Sequence, residues 1–288
     1  MRLATVRHAD KIKVVAALDG NMLLDLDRAA ELARYETSVF TDMLALIGEG
    51  DYGLEQATNL FSRANKRTMI PMADVTFLPP VMPVQYRDCQ AFTGPCDTPP
   101  VCSARPIYYK GNRMSFIGHE ADVVWPPYAD QMDIGLELAI VVGRTGKDIP
   151  AADAPSHIFG YSILNNMTAR DTQGLEAPGL LGPAKATDFD TGNILGPFIL
   201  TADEVDHPAS LKMQARVNGE VRADMNSAAM QHSFADILAH ISASETVYAG
   251  EVIGAGMHGS GPGLAPGDMF ELQVEGIGTL RNRIVRPA

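Results

Sequence analysis

The hydrophobic positions along the chain separate a short N-terminal part with mixed patterns from a longer part dominated by strand-like patterns. In the first part, period-two runs predict strands, and the turn Asp19-Gly20-Asn21 between two of them predicts a hairpin. Amphipathic stretches that predict helices follow at 27–35, 39–48 and 54–65. The Pro-rich stretch 77–83 cannot continue a helix or a central strand. We therefore expect a small N-terminal domain at 1–78 and a larger domain at 79–288.

The larger domain shows strand patterns far more often than helix patterns. Its candidate strands are 135–142, 159–165, 198–201, 211–217, 251–254, 269–274 and 279–285, and its candidate helices are 151–158 and 230–241. Strands and helices do not alternate regularly, which disfavours a doubly wound parallel sheet. The pattern predicts a β-rich α+β fold.

The composition and net charge of the chain indicate which kinds of partner it binds. Hydrophobic residues make up 46% of the chain and charged residues 20%, which is typical of a globular protein with a sizeable core. The formal charge of −12 argues against nucleic acid and against anionic membrane surfaces, but a few local cations would suffice for a small anionic substrate. An odd number of cysteines, no apparent secretion signal and no long apolar run favour a cytoplasmic protein that acts on a small molecule.

The densest cluster of polar residues lies between positions 133 and 185. In the stretch MDIGLELAIVVG, alternation of period two places Asp133, Gly135 and Glu137 on one face of a strand. The next predicted strand leads into Asn166, at a strand end where functional groups tend to lie. A Gly- and Pro-bounded loop then holds Lys185, which is either a surface residue or a cation directed at a carboxylate or an oxyanion.

These segments carry a family resemblance. The ordered motifs GLELAIVVG, GYSILNNMTARDTQ, GPAKATDFDTGNILGPF, HSFADILAHIS and GEVIGAGMHGSGPG, with LPPVMPVQYRDCQAF and PIYYKGN upstream, are similar to the fumarylacetoacetate hydrolase superfamily over residues 75–286. The resemblance implies a β-rich roll of stacked sheets and hairpins that encloses the site, assembled as a homodimer. It also implies divalent-metal chemistry on keto and diketo acids: C–C bond hydrolysis, decarboxylation, hydration or tautomerisation.

The family's metal ligands are altered in this chain. The resemblance implies an E-x-E motif on the strand and an Asp before A-R-D, where this chain has Gly135, Glu137 and Asn166. The formal ligand charge falls from −3 to −1, and hard cations prefer anionic oxygen. We therefore expect no tightly bound cofactor. The alternative is that Mg²⁺ or Mn²⁺ binds once a chelating substrate completes the site, with Glu137 and, more weakly, Asn166 as ligands.

The resemblance also implies roles for other residues. The implied catalytic residues are Glu137, Lys185 and Asn166, and the implied substrate-binding residues are Gln173, Tyr108, Tyr109, Lys110 and His258. Three hypotheses follow: a keto-acid or diketo-acid hydrolase with a substrate-completed metal; a metal-independent tautomerase, lyase or cyclase with Glu137 as general acid or base; and a non-catalytic paralogue.

Overall fold

The computed structural model describes residues 1–92, 100–258 and 263–287, which form an α+β protein built mainly from β-strands. The helices in this part of the chain are α1 (Leu26–Ala33), α2 (Met43–Gly48), α3 (Gly50–Phe61), α4 (Pro100–Ala104), α5 (Arg170–Glu176), α6 (Ala184–Thr187) and α7 (Phe234–Ser242). Short 3-10 turns separate several of them.

The described strands fall into one large sheet, one five-stranded sheet and two separate antiparallel pairs formed by segments distant in the chain. The first ten are β1 (Arg2–His8), β2 (Lys11–Leu18), β3 (Met22–Asp25), β4 (Met69–Pro71), β5 (Thr76–Phe77), β6 (Tyr86–Gln90), β7 (Ile107–Gly111), β8 (Phe116–Ile117), β9 (Asp122–Val124) and β10 (Met132–Asp133). The others are β11 (Gly135–Val142), β12 (Gly146–Lys147), β13 (Ile158–Asn166), β14 (Thr168–Ala169), β15 (Asn193–Thr201), β16 (Lys212–Val217), β17 (Glu220–Asn226), β18 (Thr246–Val247), β19 (Val252–His258), β20 (Met269–Val274) and β21 (Gly278–Val285).

The large sheet runs in the order β4-β3-β2-β1-β15-β13-β11-β19-β6-β7. Its neighbours are mostly antiparallel, but β19 pairs with β6 in parallel. Because β1 pairs with β15, strands from both sides of residue 78 share this one sheet. The division of the chain at residue 78 stays a prediction.

The two faces of the large sheet bury different cores. Along β11, Leu138 and Ile140 contact the core shared with the five-stranded sheet β17-β16-β20-β21-β9. Ala139 and Val141 point to the opposite face, whose core is completed by apolar residues of α1, α2 and α3. Glu137 has the same parity as Ala139, so it lies on the face covered by the N-terminal helices.

The α+β prediction is confirmed, and the bounds of β11 and β20 match the predicted ones. The stretch 39–48 is not one helix but a 3-10 turn followed by α2, because the Asp42 side chain accepts a hydrogen bond from the Ala45 N–H and starts a new helix. The stretch 151–158 is reduced to the 3-10 turn Ala154–His157. None of the described helices is long and apolar enough to cross a membrane.

Candidate active site

Four strands bring polar side chains together on the face of the large sheet that the N-terminal helices cover. Asp88 comes from β6, Tyr109 from β7, Glu137 from β11 and Asn166 from the end of β13. Asp88 and Tyr109 are directly paired across their strands. Glu137 is 1% exposed, Asn166 0% and Asp88 8%, so this cluster is shielded from water.

Glycines on β19 make room for the two carboxyl groups. Gly256 pairs with Glu137, and Gly254 pairs with Asp88 on the other edge of the same strand. A Cβ atom at Gly254 would lie 2.6 Å from Glu137 Oε2. Without side chains at these two positions, Asp88 and Glu137 reach each other across the intervening strand, and their carboxyl groups are within hydrogen-bond reach.

Asn166 connects the acid pair to two hydroxyl groups. Its Nδ2 donates to Asp88 Oδ2 at 2.7 Å and to the Tyr109 hydroxyl at 3.1 Å. The Tyr109 hydroxyl lies 3.0 Å from Thr187 Oγ1. Glu137 Oε2 and Asn166 Oδ1 are buried and have no hydrogen-bond partner in the described part of the chain. These two oxygens are therefore free to meet a proton, a ligand or a cation.

Burial and neighbouring negative charges raise the pKa values of both acids. Burial raises the pKa of Asp88 to about 7, even though the hydrogen bond from Asn166 opposes the shift. Burial raises the pKa of Glu137 well above its usual value, and the neighbouring Asp88 charge adds to the rise. No ion pair among the described residues includes either carboxyl group. Two such carboxyls cannot both ionise easily, so the pair retains a proton near neutral pH.

Two more titratable groups border the acid pair. Tyr86 lies two residues before Asp88 on the same face of β6, and its hydroxyl is buried without a described partner. Burial and the Asp88 charge raise the pKa of Tyr86. Asp188 follows α6, accepts from Asn193 Nδ2 at 3.3 Å, and has a pKa raised by burial. The surroundings of Asp88 are thus acidic or neutral.

The residues present do not fit a divalent ion held by the protein alone. Asp88 supplies a second carboxylate, so the donor set is Asp88, Glu137 and the Asn166 amide. However, Asn166 donates an N–H to Asp88, whereas an aspartate at position 166 would supply a third anionic ligand for the ion. A Cβ at Gly135 would lie 2.7 Å from the Asn166 carbonyl oxygen, so backbone fills the space where a side chain from position 135 would begin. In the ranges described, no three His, Cys, Asp or Glu side chains form a metal-binding group.

The structure places some predicted substrate residues on the other face of the sheet. Tyr108 and Lys110 flank Tyr109 on β7, and period two directs them away from Asp88. Tyr108 packs under the Arg87 guanidinium, 5.6 Å from the ring centroid, and Lys110 pairs with Glu245 at 2.8 Å. Their roles in substrate binding stay predictions, but only Tyr109 of the three contacts the acid pair's network.

The remaining predicted residues lie around the cluster. Lys185 is exposed, with Nζ 4.5 Å from the centroid of the Tyr128 ring. Gln173 accepts from Arg170 Nη1 at 2.9 Å. The backbone of His258 pairs with Gly135, while its side chain lies outside the described structure.

Sequence reasoning predicted Glu137 and Asn166 but missed Asp88. A period-two signal exists in YRDCQ, where Tyr86 and Asp88 share a face. What the sequence does not show is the parallel pairing of β6 with β19, which brings residues about 50 positions apart along the chain into one cluster.

Comparison with known proteins agrees with the resemblance seen in the motifs. Residues 90–285 match the family model described as fumarylacetoacetate (FAA) hydrolase C-terminal. A cluster of buried acids within this fold is typical of an enzyme site. The chain belongs to the fumarylacetoacetate hydrolase family.

Individual relatives carry tautomerase and isomerase names. The human mitochondrial oxaloacetate tautomerase FAHD2A is 32% identical over 88% of this chain and 83% of its own. The oxaloacetate tautomerase YisK of Bacillus subtilis is 28% identical over 99% of this chain and 100% of its own. The crystal structure of 5-carboxymethyl-2-hydroxymuconate delta-isomerase from Mycobacterium smegmatis covers 100% of both chains, with a TM-score of 0.78 and 27% identity.

Proposed function

We propose that the chain is a tautomerase of a 2-keto acid, an enzyme that moves a proton between the carbon beside the keto group and the keto oxygen. The observation that carries this proposal is the buried Asp88–Glu137 pair, which near neutral pH offers one carboxylate and one protonated carboxyl. Tautomerisation needs both, since a base removes a proton from carbon while an acid protonates oxygen.

The proton count of the reaction balances within the pair. The ionised carboxylate takes a proton from the substrate carbon, and the electrons of the C–H bond form the C=C bond. The electrons of the C=O bond move to the oxygen, which receives the proton of the other carboxyl. The pair finishes with one proton, as it began, and the reverse sequence converts enol to keto acid.

Neighbouring groups can hold the enol. Asn166 Oδ1 is a buried acceptor without a described partner, which suits the proton of an enol hydroxyl. The Tyr86 hydroxyl is a second unpartnered polar group beside the acids. Exclusion of water around them strengthens each of these hydrogen bonds.

The relatives support this proposal over the other hypotheses. Both named relatives are oxaloacetate tautomerases, and the structural neighbour is an isomerase. Enzymes of the family often use a divalent metal, which would supply Lewis-acid stabilisation of an enolate oxygen. Our proposal assigns the proton transfers to Asp88 and Glu137, and a Mg²⁺ or Mn²⁺ ion completed by the substrate stays a prediction from the sequence.

Ultraviolet absorbance of the oxaloacetate enol tests the proposal. Purified protein should speed the approach to the keto–enol equilibrium. Asp88→Asn and Glu137→Gln should each lower the rate by about 10²–10⁴-fold, the usual contribution of a positioned acid or base. Glu55→Gln, an exchange at an exposed site on α3, is the matched control. Wild-type rates in both acid variants would contradict the assignment.

Hydrolysis of a C–C bond in a diketo acid is the second candidate, favoured by the family model that spans residues 90–285. A carboxylate of the pair would then activate water instead of removing a carbon-bound proton. Assays with acylpyruvates separate the two activities. A non-catalytic role fits the structure least well, because burying two carboxyl groups against each other destabilises a fold that has no use for them.

A further inference from the structure

We propose that the cavity beside Arg2 and His119 is a second binding site, which takes a small aromatic carboxylate. The cavity measures about 340 Å³, within the range of small-molecule sites in proteins. None of the residues that line it belongs to the acid pair or to its hydrogen-bond network. Binding in this cavity is therefore independent of the proposed tautomerase activity.

The cavity lies between the N-terminal hairpin and two strands of the larger part of the chain. Its walls come from the turn Asp19-Gly20-Asn21, from β5, from the middle of β15 and from the start of β21. Arg2 lies on β1, directly opposite Leu200 of β15. A ligand in this cavity would contact segments from both sides of residue 78.

The guanidinium of Arg2 is a cation without a counter-ion. Its Cζ lies 5.4 Å from the centroid of the Phe198 ring, and among the described residues it forms no ion pair. Asp19 borders the same cavity, and Asp203 and Glu204 border an adjoining one that Arg2 also lines. These carboxylates are exposed and do not pair with Arg2. A planar guanidinium placed in this way can bind a carboxylate through two parallel hydrogen bonds.

His119 supplies a second donor at the same cavity. Its Nδ1 accepts the backbone N–H of Arg281 at 3.0 Å, and burial lowers the pKa of the ring, so the imidazole is neutral near pH 7. A neutral imidazole whose Nδ1 accepts carries its proton on Nε2. Glu120 Oε1 lies 3.8 Å from Nε2, beyond hydrogen-bond distance, and pairs with Arg281 instead. The Nε2–H is therefore available to a ligand oxygen.

Aromatic rings form the apolar part of the wall. The rings of Phe77 and Phe198 meet edge to face at 5.6 Å between centroids, and those of Phe77 and His119 do so at 5.5 Å. All three rings line the cavity. Since ring edges carry partial positive charge and pack against the face of another ring, this wall favours an aromatic ligand over an aliphatic one.

Isothermal titration calorimetry with benzoate tests the proposal. Benzamide is the neutral analogue, benzylamine is the cationic one, and acetate has the charge without the ring. Benzoate should bind about tenfold more tightly than benzamide, the effect of one hydrogen bond between charged groups. Binding of benzamide, benzylamine or acetate as tight as that of benzoate would overturn the proposal.

Matched variants locate the binding. Arg2→Met should weaken benzoate binding about tenfold, and Arg2→Lys, which keeps the charge without the planar guanidinium, should give an intermediate affinity. Arg7→Met removes the same charge from an exposed position of the same strand and should leave the affinity unchanged. Glu137→Gln should also leave it unchanged. If Arg2→Met binds benzoate as Arg7→Met does, or if Glu137→Gln abolishes binding, the proposal is overturned.

Nitrogen-15 NMR of the histidine rings tests the site in the wild-type protein, without relying on the folding of an Arg2 variant. The ring signal that is missing from the spectrum of His119→Gln should be that of a neutral imidazole protonated on Nε2. Benzoate should shift this signal, and the same concentration of benzamide should shift it less. A His119 signal that stays in place at saturating benzoate would contradict the proposal.

Discussion

Strand β6 carries two adjacent buried charges that the protein treats in opposite ways. Arg87 faces the core shared with the five-stranded sheet, where its Nε lies 2.9 Å from Glu251 Oε2 and its Nη2 lies 2.7 Å from Glu245 Oε1. Asp88 faces the other way and meets Glu137, a group of like charge. Arg87 and Asp88 are adjacent in the chain, yet Arg87 has partners of opposite charge and Asp88 has no such partner among the described residues.

The difference distinguishes a structural cluster from a functional one. Around Arg87, opposite charges and the Tyr108 ring stabilise the buried guanidinium. Around Asp88, burial and like charge raise the pKa of two acids and leave Glu137 Oε2 unpartnered. Perturbed acids of this kind occur mainly where proton chemistry is needed. Substitutions on the two faces should therefore change stability with opposite signs.

Arg87→Met should give the largest change in stability, a loss of about 3–5 kcal/mol, because it leaves a buried carboxylate without its partner. Glu251 is 1% exposed and would be that carboxylate. Urea unfolding measures the loss. Arg281→Met, which breaks the exposed pair with Glu120, is the control and should cost less than about 1 kcal/mol. Equal losses in both variants would mean that the buried ion pairs of Arg87 stabilise the fold no more than an exposed ion pair does.

The acid pair should make stability depend on pH. The pKa of Asp88 is about 7 in the folded protein against an ordinary 3.8, so between these values the folded state holds a proton that the unfolded state has released. Its contribution to stability is complete below pH 3.8 and is lost as the pH rises through about 7. Asp88→Asn should gain stability over wild type from pH about 5 to about 8, by about 1.4 kcal/mol per pKa unit removed.

Differential scanning calorimetry over that range measures the difference between the melting temperatures of wild type and Asp88→Asn. The gap should widen as the pH increases, and Glu137→Gln should show the same sign. A gap that narrows with increasing pH would indicate that Asp88 is stabilised in its charged form by a cation in the folded protein.

Lys185→Met should give the smallest change in stability, because the Lys185 ammonium lies on the exposed surface of Tyr128 and belongs to neither face of β6. An exposed cation–π contact contributes about 0.5–1 kcal/mol. The sequence also predicts that this variant slows turnover, through loss of a cation that supports the enolate. Initial rates on oxaloacetate, measured beside urea unfolding, separate the two effects. An unchanged rate would make Lys185 a surface residue only.

Local patterns in the sequence predict part of the site. Glu137 follows from period two in β11 and from the family resemblance, and Asn166 from its place at a strand end. The same alternation in PIYYKGN already separates Tyr109 from Tyr108 and Lys110, although the family resemblance implies one role for all three.

Other features depend on pairing between distant segments. Asp88 joins Glu137 only because β6 lies parallel to β19, and Thr187 contacts Tyr109 only because the fold brings these two distant residues together. The close approach of Gly135 to the Asn166 carbonyl is likewise a property of the folded sheet. No local periodicity encodes these contacts.

Electron paramagnetic resonance of Mn²⁺ mixed with ligand-free protein at neutral pH tests the central claim, that a shared proton and not a divalent cation neutralises the acid pair. We predict that the signal of free Mn²⁺ stays undiminished in wild type and in Glu137→Gln alike. Stoichiometric loss of the free signal in wild type, abolished by Glu137→Gln, would show a cation bound between Asp88 and Glu137 and would contradict the account.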